Sequence, residues 1–426
     1  MRRITIILSV FMLAVSATKG QTALTLEECR QKAVDNYPLI RQYDLISLSE
    51  QYSLSNVSKS YLPQVSLNGQ ASYQSHVTKL PVDLSSLPLP NPIENPTMDK
   101  DQYKATIDVS QTLWDGGATS SQRKVTKANS EVEKKQVEVN LYAVKEKVNQ
   151  LYFGILAIDE NLKMIDLVES DMQTNKDIAQ SMVKNGVAMQ SDLDQIDVEL
   201  LNIEQSRTEQ LSLRSAYIKM LGMFIHQELP GNVKLLTPDK GELLSTTISR
   251  PELTLYDSQR SLLDAQESNI SAKNMPKFGL FAQAGYGKPG LNMLENKFKL
   301  FAIGGIKLTW NFGNLYTKSN EYKLINNNRN NIDIQRETFL FNTNIQLTQE
   351  QAEIQKISKM LTKDDEIIQL RNRVKKASES KYKNGVYQTN ELIRDINAEN
   401  QARQTKALRQ VQYLMSIYNY KHIQGN

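Results

Sequence analysis

The sequence predicts a mainly helical protein that also contributes a few transmembrane β-strands, arranged as a helix–strand–strand–helix unit that occurs twice. Three observations lead to this fold class. Short motifs recur in the same order in the two halves of the chain, four segments of about ten residues alternate apolar and polar side chains, and most of the rest is rich in helix-forming residues. Repetition of this kind indicates a duplicated structural unit.

The duplication is visible in three landmarks. They recur in the same order: residues 38–44 as 251–257, residues 113–117 as 309–313, and residues 184–187 as 383–386. The offset between the copies falls after the first landmark, so the first copy carries an extra loop. We therefore predict a first repeat at 21–228, a linker at 229–250 and a second repeat at 251–426.

The four alternating segments are the predicted strands, at about 64–75, 103–114, 277–287 and 299–310. In the first of them, the odd-numbered residues from Val65 to Tyr73 are mostly apolar and the even-numbered ones are polar. About ten residues with one apolar and one polar face are typical of a transmembrane barrel strand, and aromatic residues near the ends suit the bilayer interfaces. A half-buried hairpin of a soluble protein, with the same alternation over a shorter length, stays an alternative.

Helical hairpins are predicted at about 118–225 and 314–420. Residues 118–183 hold one glycine and no proline, and a helix of that length would extend roughly 100 Å. Each long helix ends at a Lys-Asn-Gly turn, where glycine can adopt the left-handed C-cap conformation. Polar helices this long are expected to pack side by side.

The first 20 residues are predicted to be a secretory signal, with Arg2 and Arg3 before an apolar core that is too short to span a bilayer. Its removal, which also takes Lys19, lowers the formal charge from +4 to about +1. Composition therefore gives no support for nucleic-acid binding. After the signal there is no apolar run near 20 residues, so we expect any membrane insertion to use strands.

Catalytic, cofactor-binding and metal sites are not predicted. His76, His226 and His422 are far apart in the sequence, and no phosphate-binding loop or nucleophile motif is present. Cys29 is the only cysteine and is expected on the buried side of the first helix. We therefore interpret the chain as a protein that is not an enzyme.

A four-stranded sheet has two edges with unpaired backbone groups. In hydrocarbon each unpaired group costs several kcal/mol, and pairing with sheets of other copies would remove that cost. The residues thus predict an exported homo-oligomer with a shared barrel, without fixing the number of copies.

Several motifs resemble those of a known family. They are Leu-Thr-Leu-Glu-Glu-Cys at 24–29 with Asn-Tyr-Pro at 36–38, Ser-Tyr-Leu-Pro at 60–63, Gln-Thr-Leu-Trp-Asp-Gly-Gly at 111–117 and Gln-Leu-Tyr-Phe at 150–153. In their order and duplication they resemble the TolC-like outer-membrane efflux proteins, over nearly all of the chain after the signal.

The resemblance implies a homotrimer in outer-membrane lipid. Its twelve-stranded β-barrel would continue into a long α-helical barrel in the periplasm. The implied function is the passive exit duct of a tripartite efflux or type I secretion system, with a periplasmic adaptor and an inner-membrane transporter as partners and with no cofactor. The alternatives are a secreted coiled-coil scaffold or adhesin without membrane strands, and a soluble periplasmic enzyme.

The resemblance also implies two groups of site residues. The adaptor-contacting tips would be Asn185, Gly186, Val187, Asn384, Gly385 and Val386, and the aperture gate would be Asp192, Tyr382, Tyr387, Glu391 and Arg394. Asp192 and Tyr382 match a latching pair, and Glu391 matches an acidic ring. The chain departs from the family at Tyr387, where an arginine joins the latch, and at Arg394, where a second acidic ring would lie. An alternative for Asp192 and Glu391 is that both only occupy helix N-termini, where acidic residues are favoured.

Overall fold

The structure, a computed structural model, describes residues 23–79, 81, 90, 98–240 and 247–425. The predicted signal at 1–20 lies outside the described residues. The chain divides into two compact units, and each is described by itself. One falls within Met1–Ile40, Asn140–Arg250 and Phe341–Asn426, and the other falls within Arg41–Val139 and Pro251–Leu340.

The described chain is mostly helical, and its elements follow the duplicated order. They are α1 Leu26–Asn36, α2 Gln42–Ser58, β1 Gln64–Tyr73, β2 Asp101–Trp114, α3 Ala118–Lys184, α4 Gln190–Ile225, α5 Pro251–Lys273, β3 Lys277–Lys288, β4 Lys299–Thr309, α6 Asn314–Lys383 and α7 Thr389–Gln424, with short 3-10 turns at Pro38–Arg41 and Lys59–Tyr61. Among the described residues, no helix combines the length and the apolar character needed to cross a bilayer.

Element ends differ from the predicted limits by a few residues. Strand β1 ends at Tyr73 rather than 75, and β2 begins at Asp101 rather than 103, because the last pair of the ladder joins these two residues. Strand β3 continues one residue past 287, and β4 stops one residue before 310. Helix α7 runs past 420 to Gln424, where Gly425, with φ at 106°, ends it in the left-handed conformation.

The four strands form one antiparallel sheet in the order β1-β2-β3-β4. Because residues paired across neighbouring strands point to the same side, the register defines two faces. We call the first the apolar face; it includes Val65, Leu67, Ile107, Val109, Leu280, Ala282, Ala284, Leu300, Ile306 and Leu308. We call the second the polar face; it includes Ser66, Asn68, Gln70, Lys104, Thr106, Asp108, Thr112, Lys277, Gln283, Lys299, Lys307 and Thr309.

The alternation in β4 is less complete than in β1. Phe301 and Ile303 lie on the polar face, together with Phe281 of β3. Glycine residues lie opposite Phe281 and Phe301 in the register. A large ring opposite a residue without a side chain fills the space that the glycine leaves open.

The turn from β2 into α3 is held by the carboxylate of Asp115. It accepts hydrogen bonds from the Tyr61 hydroxyl at 2.9 Å, the Gly117 backbone N–H at 2.9 Å and the Thr119 backbone N–H at 2.6 Å. Burial disfavours ionisation of Asp115, but these hydrogen bonds outweigh it and keep its pKa below the usual range. In the second copy, Asn311 accepts a similar bond from the Gly313 N–H at 3.0 Å. Both turns therefore have a structural role.

The same turn explains its paired glycines. Gly116 and Gly117 both have positive φ, at 69° and 87°, a conformation that costs other residues about 1–2 kcal/mol. A Cβ on Gly116 would also lie 2.4 Å from the Cβ of Met275, whereas a Cβ on Gly117 would meet nothing within 4 Å. Gly116 is therefore required by close approach as well as by conformation.

The compact unit that contains α1, α4 and α7 has its core around Tyr152 and Phe153 of α3. Both of these side chains are at most 1% exposed. The Tyr152 hydroxyl lies 2.7 Å from the carbonyl oxygens of both Leu24 and Leu236. Cys29 of α1 belongs to this core and is fully buried, as the sequence predicts. Burial raises the pKa of its thiol to about 11, so this thiol is unreactive.

Candidate functional site: the helix turns and the aperture residues

The turn between α3 and α4 is a Schellman motif. The Val187 N–H donates to the carbonyl of Met182 at 2.9 Å, and the Gly186 N–H donates to the carbonyl of Val183 at 3.0 Å. Gly186 has φ at 73°, which is the left-handed conformation that this motif requires. The Lys-Asn-Gly-Val sequence therefore forms a sharp helix end because glycine stands where that conformation is needed.

The turn between α6 and α7 repeats this geometry. Val386 N–H donates to the carbonyl of Lys381 at 2.9 Å, Gly385 N–H donates to the carbonyl of Tyr382 at 3.0 Å, and Gly385 has φ at 69°. The side chains of Val187 and Val386 are 64% and 72% exposed. Such exposure of two valines at equivalent turns leaves both free to contact another molecule.

All six residues predicted as tips lie in these two turns and are exposed. A Cβ on Gly186 or Gly385 would meet nothing within 4 Å. The backbone N–H groups of Asn185 and Asn384 are bound to helix carbonyls, so the turns are ordered by their own hydrogen bonds. Their contact with an adaptor stays a prediction.

Asp192 and Glu391 occupy equivalent positions at the start of the returning helices. The Met189 N–H donates to Asp192 Oδ2 at 3.0 Å, and the Gln388 N–H donates to Glu391 Oε2 at 3.1 Å. Each acid therefore binds the backbone at the N-terminus of its helix, as in a capping box. This geometry supports the alternative that both acids have a structural role, and in each carboxylate it engages only one of the two oxygens.

Asp192 and Tyr382 are brought together by a residue that the sequence analysis missed. The Thr389 hydroxyl donates to Asp192 Oδ1 at 2.9 Å and lies 3.4 Å from the Tyr382 hydroxyl. Thr389 is 1% exposed and Tyr382 is 2% exposed. The three residues thus link the first hairpin to the second. The sequence does place a threonine at the first position of α7, and that was the available sign of a linking residue. It was not sufficient, because the burial of Thr389 depends on the neighbouring hairpin.

Tyr387 and Arg394 also lie in this region. The Lys381 ammonium is 5.0 Å from the centre of the Tyr387 ring, a cation–π arrangement. The Arg394 guanidinium lies 3.5 Å from Asp395, and its side chain is 68% exposed. The positive charge of Arg394 is therefore paired with its neighbour Asp395.

Beneath the turns, both hairpins share one apolar cluster. Its buried members are Ile165, Met172, Ala179, Ile196, Ile203, Tyr382, Leu392 and Ile396. The first five come from α3 and α4, and the last three from α6 and α7. Because the side chains of both copies pack in a single cluster, the two turns are held side by side.

An ionic network around one buried carboxylate lies farther along the same helices. Glu399 is 1% exposed, accepts a hydrogen bond from Arg403 and lies 4.0 Å from Lys375. Lys375 in turn pairs with Asp171 of α3. Removing one partner of a buried pair is costly because the remaining charge stays buried. The network therefore favours one alignment of α3, α6 and α7.

The comparisons with known proteins agree with this geometry. Residues 30–218 match the family profile described as outer membrane efflux protein. No curated protein matches the sequence. Solved structures do match: the outer-membrane channel OprN has 12% identity and a TM-score of 0.64, covering 94% of this chain and 90% of that one. CusC has 13% identity and a TM-score of 0.66, covering 94% and 92%.

The open state of the Neisseria gonorrhoeae MtrE outer membrane channel has 13% identity and a TM-score of 0.62, covering 94% of this chain and 89% of that one. The resemblance to the TolC-like outer-membrane efflux proteins is confirmed. At these identities the solved structures show the fold, which is that of outer-membrane efflux channels. Outer membrane efflux proteins are transport proteins, so the profile match supports the prediction that the chain is not an enzyme. The profile match and the fold support a channel role in efflux and an outer-membrane location.

The link through Thr389 generates a stability prediction. Thr389→Val removes the hydroxyl but keeps the shape, and it should lower the free energy of unfolding by about 1–2 kcal/mol. Asp192→Ala removes the same hydrogen bond together with the helix cap. The two changes should therefore be non-additive by about 1 kcal/mol in a double-mutant cycle, measured by denaturation in detergent and followed by circular dichroism. Strictly additive losses would show that Thr389 and Asp192 are not coupled.

Proposed function

We propose that this protein is the exit duct of a tripartite efflux or type I secretion assembly. In this proposal three copies of the chain form one twelve-stranded barrel in the outer membrane, and the helical part lies in the periplasm. The observation that carries the proposal is the four-stranded sheet. It has one apolar face, one polar face and two unpaired edges.

The apolar face is suited to lipid. Val65 is 68% exposed, Leu67 is 78% exposed and Leu300 is 83% exposed. Between the first and last rows of the register, the strongly polar side chains on this face are Gln111 and Lys288, and Lys288 is paired with Asp99 near the end of the sheet. A wide apolar face of this kind is unfavourable in water. In transmembrane barrels, such a face of the strands contacts the hydrocarbon of the bilayer.

The edges favour closure between copies. Strands β1 and β4 each have one neighbour in the sheet. An even number of antiparallel strands allows β4 of one copy to pair antiparallel with β1 of the next, so that every backbone group finds a partner. Two copies would give eight strands, whose interior is filled by side chains. Three copies are the smallest number that leaves an open lumen.

The helix turns are proposed as the contact points for the periplasmic adaptor, through which an inner-membrane transporter would deliver substrate. Two ordered turns with exposed valines support a docking role. The aperture is proposed to lie at Asp192, Tyr382, Tyr387, Glu391 and Arg394, next to those turns. If Thr389 latches it, Thr389→Val should increase the open fraction in planar-bilayer recordings, and an unchanged open fraction would remove the latch from this position.

The placement of the two faces is tested by cysteine labelling. Single cysteines at Ser66, Asn68 and Gln70 should react with a membrane-impermeant thiol reagent that enters the lumen, whereas cysteines at Leu67 and Ala71 should not, because lipid covers them. The native Cys29 is buried and gives no background. Equal labelling of both sets would mean that the sheet is not in a membrane, and the reverse pattern would mean that the faces are exchanged.

The docking role of the turns is tested by comparing a large and a small residue at each turn glycine. Because a Cβ at either glycine meets open space, Gly186→Ala and Gly186→Trp share a left-handed conformational cost of about 1–2 kcal/mol and differ mainly in size. We expect Gly186→Trp and Gly385→Trp to insert normally and to abolish efflux, measured as drug susceptibility or protein secretion in cells. The alanine variants should retain most of it. Loss of insertion in the tryptophan variants would make the turns folding elements.

A further inference from the structure

The polar face of the sheet carries an excess of positive charge. Its charged residues are Lys104, Lys277, Lys299, Lys307 and Asp108. Four lysines and one aspartate give a formal charge of +3 on the polar face of each chain. This charge is separate from the near-neutral balance of the whole chain, and only the strand register reveals it.

The carboxylate on the polar face, that of Asp108, already accepts hydrogen bonds from its neighbours. Asp108 accepts hydrogen bonds from Asn68 at 2.6 Å and from Thr106 at 2.9 Å on one oxygen, and from Gln283 on the other. Thr112 lies four positions after Asp108 along β2, a distance of about 13 Å. The carboxylate therefore does little to neutralise lysines at the far end of the sheet.

Two of the four lysines have other contacts. Lys104 donates to Gln283 at 3.3 Å and lies 5.0 Å from the centre of the Phe301 ring. Lys299 forms an ion pair with Glu295 at 2.9 Å. The charge of Lys299 is thus offset by a carboxylate, and the contacts of Lys104 hold its ammonium group at the Gln283 side chain and the Phe301 ring.

Lys277 and Lys307 are exposed, and in the described part of the chain neither has a carboxylate at salt-bridge distance. Lys277 is paired with Thr309, and Lys307 with Gly279, so the two lysines are diagonal neighbours, with backbones about 7–8 Å apart. Like charges at this separation repel each other in an empty sheet. An anion between them would remove that repulsion.

The floor between these lysines is open. Gly279 lies between Lys307 and Thr112 in the register, and a Cβ there would lie 2.9 Å from the carbonyl oxygen of Gln111. The position therefore stays free of a side chain. The result is a small space lined by residues that include Lys277, Lys307 and Thr112, whose ammonium and hydroxyl groups are donors suited to a carboxylate or phosphate group.

We propose that Lys277, Lys307 and Thr112 form an anion-binding site on the polar face and that the duct favours solutes bearing carboxylate or phosphate groups. The site rests on the proposed duct for its role in transport. Its existence as a binding site depends only on the sheet. Three copies around one lumen would repeat it three times, and the charges would raise the local concentration of anions.

The electrostatic part is tested by reaction rates at a cysteine beside the lysines. Thr309→Cys places a thiol opposite Lys277, and Ser66→Cys places a matched thiol opposite Asp108. Each purified protein reacts in detergent with an anionic and with a cationic methanethiosulfonate of similar size. The lysines also favour the thiolate, but that effect is common to both reagents and cancels in the ratio of their rates.

We expect the anionic-to-cationic rate ratio at Thr309→Cys to exceed that at Ser66→Cys by about fivefold, and to shrink at high salt. Adding Lys277→Gln and Lys307→Gln together should remove most of the difference and either change alone should remove part of it, whereas Lys297→Gln, the same single-charge change in the β3–β4 loop, should leave it. A ratio that is equal at the two positions, or that the double lysine change does not alter, would overturn the proposal.

Binding of an anion at the site is tested by whether it protects the Thr309→Cys thiol from reaction. Inorganic pyrophosphate should slow the reaction of an uncharged methanethiosulfonate at Thr309→Cys, compared with chloride at equal ionic strength, and the double lysine variant should lose this protection. Absence of protection in the wild-type background would overturn the site. These outcomes are independent of the duct, whose failure would instead appear as labelling of the Leu67 cysteine on the apolar face.

Discussion

The constraint on which the rest of this structure depends is the pairing of backbone groups at the edges of the sheet. Strands β1 and β4 each have one neighbour, and their free N–H and C=O groups need partners wherever water is absent. The register places apolar side chains on one face along all four strands. In the proposed barrel, other copies of the chain supply the missing neighbours, which would make oligomerisation part of folding.

The helical hairpins solve a different problem with related means. Long polar helices gain little from intrinsic propensity and depend on packing. Here the two copies of the repeat share one apolar cluster beneath their turns. Ion pairs also favour one alignment of these helices, because the buried carboxylate of Glu399 needs Arg403 and Lys375 nearby. The exposed turns can therefore be rigid while they leave their valines available to a partner.

Local chemistry decided how much could be predicted from the sequence. The two helix turns were predictable, because the conformation of Gly186 and Gly385 is decided by residues next to them in the sequence. Strand β1 was predictable for the same reason, because the alternation from Val65 to Tyr73 is visible along the chain. Thr389 was not, because its burial depends on how the two hairpins meet. The excess of lysine on the polar face needed the register, which shows that Lys277 and Lys307 are diagonal neighbours. For Asp192 and Glu391, the structure adds a helix-capping role that is compatible with a place at the aperture.

The most direct test of the central claim is the native mass of the purified protein in a mild detergent, measured with and without chemical cross-linking. Closure of the sheet edges between chains predicts a single species of three copies, and it predicts that chains separated from the trimer lose their strand signal in circular dichroism. A stable monomer that keeps its four strands would contradict the account, because its edges would then be satisfied without any other copy.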